Sequence, residues 1–328
     1  MTLENPRNIR WGIIGLGKIA NKFAQDLRKT KGAQLYAVAS RNQEKADSFA
    51  LQHNSKFVYY SYAELAKNPN IDVVYIATPH SFHKEHTILC LSHSKAVLCE
   101  KPFAMNLEEA EKMIAVAKTN NVLLMEGLWT YFLPHYQFAL QELASKKFGT
   151  IVKLEADFGF APYADMETRL FKKSLGGGSL LDVGIYPVFC ALSTLGKPID
   201  IDAKATFFEN GVDTSCEMVF NYDNGVKAFL KSSIIEKTAT EAIFHCEHGI
   251  IKINSRFHEP STVTLIQNGN KETSEFGYST FGFNYEIAHI NELIRNGQTE
   301  SPIMTHEFTR NLIKLLDDVR HLIGLRYE

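Results

Sequence analysis

Short apolar runs alternate with amphipathic segments along the first third of the chain. The runs IRWGII, AQLYAVAS, KFVYY, DVVYIAT, AVLCE and VLLMEG are typical of strands buried in a sheet. Between them, segments such as QEKADSFALQH and NLEEAEKMIAVAKTNN carry apolar residues at helical spacing, and Ser61 and Asn106 are the predicted caps of two helices. This alternation predicts a doubly wound α/β domain, with a parallel sheet and helices on both of its faces.

The pattern changes after about residue 125. Alternating and β-branched runs such as TIVKLEADFGF, SCEMVFNYDNGVKAFLKSSII and EAIFHCEHGIIKI are separated by turn signals, among them Asp223-Asn224-Gly225. They predict a large, mostly antiparallel sheet, and two helical segments, NYEIAHINELIRNG and THEFTRNLIKLLDDVRHLIG, follow it. We therefore expect an α/β domain over residues 1–125 and an α+β domain over residues 126–328.

Composition and charge narrow the class of protein. With 328 residues the chain is long enough for two domains, and its net charge of -2 creates no field that attracts nucleic acid or anionic lipid. We find no signal-peptide pattern and no window that approaches the roughly 18 to 20 apolar residues of a membrane span. The five cysteines form no CxxC motif and the histidines form no HExxH motif, which predicts buried thiols in a reducing cytoplasm and no metal site.

A glycine fingerprint follows the first predicted strand. Gly15, Gly17 and Ala20 form the GxGxxA pattern of dinucleotide-binding turns. Gly15 allows the sharp turn, Gly17 lets a pyrophosphate approach the backbone, and Ala20 lets the helix pack closely on the strand. Lys18 and Ile19 then supply the free N–H groups at the helix start, where the helix dipole favours an anion.

The end of the second predicted strand bears on the choice of cofactor. NAD sites usually place an acid there to bind the ribose 2′-hydroxyl, whereas this chain has Ser40 and Arg41. A guanidinium binds phosphate bidentately and a serine hydroxyl donates a hydrogen bond, so the sequence favours NADP, with NAD still possible. The alternative is that Arg41 is a solvated surface residue.

Two later strands end in polar residues at the edge where cofactors bind. The fourth ends in ATPHSFH, so Thr78, Pro79 and His83 are predicted to contact the cofactor, although His83 also suits a structural role. The fifth ends in CEKPF, where Glu100 and Lys101 are predicted to place an ammonium group beside the nicotinamide. The alternative for that pair is a surface ion pair, and the Lys101–Pro102 bond can be cis or trans.

In the segment GGGSLLDVGIYP, from Gly176 to Pro187, three glycines precede a predicted helix. Asp182 and Tyr186 lie four residues apart, so on an α-helix both project to the same side. We expect Tyr186 to transfer a proton and Asp182 to bind a substrate hydroxyl or orient Lys101. The alternative is a helix start with a favourable acid in its first turn.

These motifs occur together in one known family. GIIGLGKIA, ATPHSFH, EKPF, MEGLWTYFLP and LGGGSLLDVGIYP resemble, in order and spacing, the glucose-fructose oxidoreductase / inositol dehydrogenase family. Within it, the chain looks most like the dimeric dihydrodiol dehydrogenases and the NADP-dependent xylose dehydrogenases. The resemblance implies a Rossmann domain, a C-terminal α+β domain, a bound NAD(P), catalytic Lys101 and Tyr186, and a homodimer or dimer of dimers formed through the C-terminal sheet. Many members carry His where this chain has Tyr186.

The predicted chemistry is proton transfer coupled to hydride transfer. An unperturbed phenol titrates near pH ~10, and a nearby cation such as Lys101 favours the phenolate. Tyr186 would then protonate a carbonyl oxygen in reduction or remove an alcohol proton in oxidation. The substrate is predicted to be a sugar, polyol or vicinal diol, or the matching carbonyl. Alternatives are a non-catalytic nucleotide-sensing protein and a reductase of non-sugar carbonyls.

Aromatic residues near these motifs are candidates for substrate binding, because aromatic faces bind both sugars and flat hydrocarbon rings. Trp129 and Phe160 are our predictions among a group that is mostly core. Arg169 precedes the glycines and is predicted either to meet substrate oxygens or to pair with an acid. The other aromatic residues considered are Tyr131, Phe132, Tyr136, Phe158 and Tyr163.

Overall fold

The computed structural model describes residues 7–161 and 167–327. The chain divides into two compact units. Unit 1 consists of Met1–Ala104, Glu108–Trp129 and Ser279–Thr309. Unit 2 consists of Met105–Leu107, Thr130–Tyr278 and Arg310–Glu328.

Unit 1 is built on a parallel sheet of six strands in the order β3-β2-β1-β4-β5-β6. The strands are β1 Ile9–Ile14, β2 Ala33–Ala39, β3 Phe57–Tyr59, β4 Val73–Ile76, β5 Ala96–Glu100 and β6 Leu124–Gly127. The helices that alternate with them are α1 Lys18–Lys29, α2 Gln43–His53, α3 Tyr62–Lys67, α4 His83–Ser92 and α5 Leu107–Asn120. The predicted Rossmann architecture is confirmed, and the strand order reverses between β1 and β4, where doubly wound sheets bind ligands.

Unit 2 is built on an eight-stranded sheet in the order β14-β13-β12-β11-β7-β10-β9-β8. The strands are β7 Ile151–Gly159, β8 Asp200–Phe207, β9 Asp213–Asn221, β10 Lys227–Ser233, β11 Ala242–Cys246, β12 Gly249–Ile253, β13 Val263–Gln267 and β14 Asn270–Ser274. The longer helices after β6 are α6 Pro134–Ser145, α7 Ile185–Leu195, α8 Phe283–Arg295 and α9 His306–Leu322. Within the described strands of this eight-stranded sheet, only β7 and β10 pair in parallel, so the prediction of a mostly antiparallel sheet is confirmed.

Helix α8 belongs to unit 1, although the predicted boundary after residue 125 assigned it to the second domain. The Asp26 carboxylate of α1 accepts the backbone N–H groups of Phe281 (3.1 Å) and Phe283 (3.0 Å), which hold the start of α8. The Trp11 indole donates to Asn291 at 3.0 Å on the same helix. A local pattern identifies α8 as a helix but does not show which unit it packs in. The sequence therefore did not indicate that α8 belongs to unit 1.

Two features of the helices differ from the sequence analysis. Leu180–Gly184 is a π-helical turn that leads into α7, so the segment with Asp182 and Tyr186 is not one uniform α-helix. Such turns are rare and occur often at functional sites. Helix α6 was not predicted at all, although Pro134 occupies a first-turn position that Pro favours.

The helical stretch Lys173–Leu195 is long and apolar enough to cross a membrane by length and composition, with a mean hydropathy of 1.5. Its most apolar window is 94% buried inside the protein, as in the core helix of a folded domain. The stretch contains α7, which packs against β7 and β10. The expectation that no window is this apolar was therefore too strict, because a buried core helix meets the same criterion.

Candidate active site

The turn after β1 has the geometry of a phosphate-binding loop. Gly15 has φ +89°, and a Cβ on it would lie 2.5 Å from the Ala77 carbonyl carbon and 2.6 Å from the Thr78 nitrogen. Gly17 precedes α1, and a Cβ there would meet no atom within 4 Å. The first turn of α1 holds no acid and no side-chain cap, and Lys18 and Ile19 are exposed. This open helix start fits the pyrophosphate of a dinucleotide.

The end of β2 carries one buried and one exposed polar residue. Ser40 is buried, and its N–H donates to the Tyr59 carbonyl at 3.2 Å. Arg41 is exposed, with its guanidinium carbon 5.9 Å from the centre of the Tyr62 ring and 5.8 Å from that of Phe82. Contact with two rings favours a defined position for this cation. No acid follows β2 where NAD sites usually have one, so the residues present suit a 2′-phosphate.

His83 connects the loops that follow β4 and β5. The side chain is fully buried, with Nδ1 2.8 Å from the Pro102 carbonyl and Nε2 2.9 Å from the Thr78 carbonyl. The Lys101–Pro102 peptide is cis. Pro79 starts a short 3-10 turn and its carbonyl accepts the Phe82 N–H. These contacts fit the structural role that was the alternative for His83. Its contact with the cofactor stays a prediction.

Glu100 is buried, and both of its carboxylate oxygens are used within unit 1. The Tyr75 hydroxyl donates to one oxygen, and the Lys101 backbone N–H donates to the other at 3.2 Å. Lys101 itself is half-buried. Glu100 therefore anchors the backbone that presents Lys101, and its direct role toward a cofactor stays a prediction.

A second carboxyl, Glu126 at the end of β6, supports the same loop. It is fully buried, accepts the Phe103 N–H at 3.0 Å and accepts the Thr309 hydroxyl at 3.0 Å. Burial raises the pKa of Glu126 to about 7, while these hydrogen bonds and the nearby charge of Lys101 act in the opposite direction. The sequence analysis did not single out Glu126, because an acid at a strand end has no distinctive local pattern.

In unit 2, the glycine segment leads into the π-turn that carries Asp182. Gly178 has φ +124°, and a Cβ on it would lie 2.0 Å from the Asp213 carboxylate. Asp213 is buried, accepts the Leu180 N–H at 2.6 Å, and has a pKa raised by burial to about 7. Gly178 thus makes room for a carboxyl group that holds the helix start.

Asp182 and Arg169 are brought together. An Arg169 guanidinium nitrogen lies 2.6 Å from Asp182 Oδ1, and the Asp182 side chain is only 13% exposed. Of the two alternatives for Arg169, pairing with an acid is the one observed, while its contact with substrate stays a prediction. The pair fixes the Asp182 carboxylate one turn before Tyr186.

Tyr186 lies in a cluster of aromatic rings. Its ring centre is 5.6 Å from that of Phe158 and 4.9 Å from that of His258, and all three side chains are buried. His258 and Phe158 stack, with centres 4.0 Å apart and planes at 26°. Phe160 is half-buried and its ring centre lies 6.0 Å from that of Phe158. Sequence reasoning missed His258; the available signal was a histidine followed by Glu-Pro in a predicted loop.

The remaining candidates lie elsewhere. Trp129 is 7% exposed in unit 1, where it stacks on Phe283 with ring centres 4.4 Å apart. Tyr163 lies outside the described residues. Among the residues that the structure describes, no cluster of His, Cys, Asp or Glu suits a metal ion.

Family models match most of the chain. Residues 9–128 match the model described as "Oxidoreductase family, NAD-binding Rossmann fold", and residues 136–252 match the model described as "GFO/IDH/MocA C-terminal domain". A trans-1,2-dihydrobenzene-1,2-diol dehydrogenase of Xenopus tropicalis is 35% identical, over 97% of this chain and 99% of its own. The scyllo-inositol 2-dehydrogenase (NADP(+)) IolU of Bacillus subtilis (strain 168) is 33% identical, over 97% of this chain and 98% of its own.

Solved structures agree on the fold. The 3-ketoreductase KijD10 of Actinomadura kijaniata, in complex with NADP and TDP-benzene, superposes with a TM-score of 0.87 at 25% identity, over 97% of this chain and 98% of its own. The aldose-aldose oxidoreductase of Caulobacter crescentus, complexed with glycerol, has a TM-score of 0.89 at 22% identity with the same coverage.

The fold, the glycine loop and the relatives agree on one class of protein. The predicted nicotinamide dinucleotide cofactor and the predicted dehydrogenase activity are confirmed at the level of the family. The chain belongs to the Gfo/Idh/MocA family of oxidoreductases with an NAD-binding Rossmann fold, and it is an NAD(P)-dependent oxidoreductase acting on CH–OH groups.

Proposed function

We propose that the protein is an NADP-preferring dehydrogenase of a sugar, polyol or cyclic vicinal diol, or a reductase of the matching carbonyl. One observation carries this proposal. The two relatives at 35% and 33% identity are named for a dihydrobenzenediol and for scyllo-inositol. Both compounds carry neighbouring secondary hydroxyl groups on a six-membered ring, so the shared substrate feature is a ring-borne vicinal diol.

NADP is the proposed cofactor because of the residues after β2. Arg41 offers an exposed cation near the end of that strand, where an acid would favour NAD. One relative is named as NADP(+)-dependent, and the ketoreductase structure holds NADP. The nicotinamide, when bound, supplies the hydride donor or acceptor of the reaction.

Tyr186 is the proposed proton-transfer group. In oxidation its phenolate takes the proton of the reacting hydroxyl, and in reduction its phenol returns a proton to the carbonyl oxygen. Lys101 stabilises the phenolate through its positive charge. The Asp182–Arg169 pair binds a substrate hydroxyl, since a fixed carboxylate is a strong hydrogen-bond acceptor.

We also propose that the protein forms a homodimer, or a dimer of dimers, through the outer face of the unit 2 sheet. Phe229 is 43% exposed there, and Val219 and Glu155 lie beside it on β9 and β7. A face that mixes apolar and charged residues suits association. Phe229→Glu is expected to lower the mass measured by sedimentation equilibrium, and an unchanged mass would exclude this residue from the interface.

The cytoplasm is the proposed location, because all five cysteines are buried and none forms a disulfide. Fractionation of cells that express the protein should recover it with cytosolic markers. Recovery in a membrane fraction or outside the cell would contradict this location.

A substrate panel tests the proposed activity. Aldoses, inositols and trans-cyclohexane-1,2-diol are supplied with NADP or NAD, and absorbance of the reduced nicotinamide is followed. We expect turnover with at least one vicinal diol and a higher kcat/KM with NADP than with NAD. Turnover of simple aldehydes or dicarbonyls alone, in a parallel assay with NADPH or NADH as the hydride donor, would favour the reductase of non-sugar carbonyls.

A further inference from the structure

The loop after β12 carries a histidine that sequence reasoning overlooked. His258 is 5% exposed, and its ring centre lies 4.0 Å from that of Phe158 and 4.9 Å from that of Tyr186. All of these residues belong to unit 2. An imidazole therefore directly neighbours the phenol to which we assign proton transfer.

The backbone of this loop is held at three consecutive points. The Phe257 N–H donates to the Thr240 carbonyl at 3.1 Å, and the Thr130 hydroxyl donates to the His258 carbonyl at 2.7 Å. The Phe257 carbonyl accepts from His135 Nε2 at 2.9 Å. Burial lowers the pKa of His135 to about 4, so this ring is neutral near pH 7. Its one N–H must then point to Phe257, because a carbonyl only accepts.

These anchors fix the backbone from which the His258 ring extends. The Glu259 carboxylate oxygen Oε2 lies 3.9 Å from His258 Nε2, beyond hydrogen-bond length. Glu259 itself is paired with Arg256.

Stacking on Phe158 does not by itself require an imidazole at this position. A Phe ring stacks on Phe158 equally well and carries no polar atoms, whose burial costs free energy. A histidine beside Tyr186 instead brings a ring nitrogen that donates or accepts a hydrogen bond. The neighbouring oxygens of a vicinal diol lie about one hydrogen-bond length apart, so two adjacent polar side chains match two adjacent hydroxyls.

We propose that His258 binds the hydroxyl next to the reacting carbon and so selects vicinal diols over simple secondary alcohols. The proposal rests on the proposed function of Tyr186, which handles the reacting oxygen. His258 thereby determines specificity and does not itself exchange the reacting proton. Removing its nitrogens is expected to affect only substrates that carry the second hydroxyl.

The test compares a diol with its deoxy analogue. trans-Cyclohexane-1,2-diol and cyclohexanol, or the best diol of the substrate panel and its matched deoxy compound, are assayed with wild type and with His258→Phe, which keeps a stacking ring. We expect kcat/KM for the diol to fall at least about 10-fold and kcat/KM for the monohydroxy compound to change less than about 3-fold. His258→Asn, which restores a hydrogen-bonding group, should recover part of the diol preference.

Three controls make the outcome decisive. His248→Phe changes an exposed histidine of the same unit and should change neither value. NADP binding, measured by fluorescence titration, should be equal in all variants. Thermal unfolding identifies a variant that fails to fold. If His258→Phe fails to fold, His258→Asn is compared with wild type instead. Equal losses for the two substrates, or no loss for the diol, would overturn the proposal for His258.

Tyr186→Phe, assayed on the same pair, separates this inference from the proposed function. If Tyr186→Phe abolishes turnover of both substrates while His258→Phe fails to discriminate between them, only the role of His258 is lost. If Tyr186→Phe stays active, or if no vicinal diol is turned over, the proposed function fails and the role of His258 fails with it.

Discussion

The Tyr186 hydroxyl can be removed with little change in packing, because the ring already packs against Phe158 and His258. Tyr186→Phe is expected to lower kcat at least about 100-fold while NADP binding survives, since general acid–base catalysis typically contributes that much. Steady-state kinetics and a fluorescence titration measure the two quantities. Tyr222→Phe is the matched control, because Tyr222 is also buried in unit 2 and its hydroxyl has no hydrogen-bond partner in the described structure. Near-normal turnover of Tyr186→Phe would exclude this proton-transfer role.

Lys101→Met tests the ammonium group at similar length. We expect a loss of kcat of at least about 100-fold, because the phenolate loses its stabilising charge. If both residues serve one step, the kcat of the Lys101→Met/Tyr186→Phe double variant should be no more than about 10-fold below that of the less active single variant. Fully multiplicative losses would show that the two residues act independently. Lys84→Met, which removes a lysine paired with Glu109 in the same unit, is the control.

The proposed preference for NADP rests on Arg41. Arg41→Ala should raise the Kd for NADP about 10- to 100-fold, because a charge-assisted contact with phosphate is lost, and should change the Kd for NAD less than about 3-fold. Calorimetric titration with both dinucleotides provides the comparison. Arg28→Ala removes an exposed arginine at the other end of α1 and should leave both affinities intact. Equal weakening for the two cofactors would remove the argument for NADP.

At the scale of elements, the two glycines of the β1–turn–α1 segment have different roles: Gly15 allows a tight turn, and Gly17 leaves space at the helix start. A Cβ on Gly15 collides with the backbone of Ala77 and Thr78, whereas a Cβ on Gly17 points into open space at the helix start. Gly15→Ala is therefore expected to lower the melting temperature of the protein without cofactor. Gly17→Ala should leave that temperature within about 2 °C but weaken NADP binding at least about 10-fold, because its methyl group occupies the place proposed for the pyrophosphate.

Thermal melts with and without NADP distinguish the two variants. A Gly17→Ala protein that binds NADP normally would contradict the pyrophosphate site. A Gly15→Ala protein with an unchanged melting temperature would show that the turn relaxes without cost.

Local sequence patterns predicted the helices and strands better than the contacts that these elements make. The alternation in the first third matches β1 to β6, and QEKADSFALQH is helix α2 from Gln43 to His53. Ser61 does precede α3, but its side chain makes no capping hydrogen bond. The π-turn at Leu180–Gly184 was missed because it depends on Asp213 of the distant strand β9, whose carboxylate accepts the Leu180 N–H.

The candidate site shows the same division. The sequence alone singles out Gly15, Gly17 and the residues around Lys101 as candidates, because each motif lies within a few residues of sequence. His258 was not found, because only the fold of unit 2 brings it to Tyr186. Glu126 was missed for a similar reason: its partners, Phe103 and Thr309, are distant in the chain. Contacts between distant segments leave no local signature in a single sequence.

At the scale of the whole molecule, two buried carboxyls predict how stability changes with pH. Burial raises the pKa of Glu126 in unit 1 from 4.5 to about 7, and that of Asp213 in unit 2 from 3.8 to about 7. For each acid, the folded pKa lies above the unfolded pKa, so the contribution to stability is full below the unfolded value and is lost as pH rises through the folded value. Each group should cost roughly 3 to 4 kcal/mol of unfolding free energy between about pH 4 and pH 8.

Neutral substitutions isolate this effect. Glu126→Gln and Asp213→Asn keep the size of each side chain and cannot ionise, so each variant should lose less stability than wild type between pH 5 and pH 8. Urea unfolding at the two pH values, followed by circular dichroism, measures the difference in midpoint. Glu272→Gln changes an exposed carboxyl and should follow wild type. If the wild-type and Glu126→Gln midpoints shift in parallel, Glu126 is ionised in the folded protein and the buried acid under the Lys101 loop carries a charge at neutral pH.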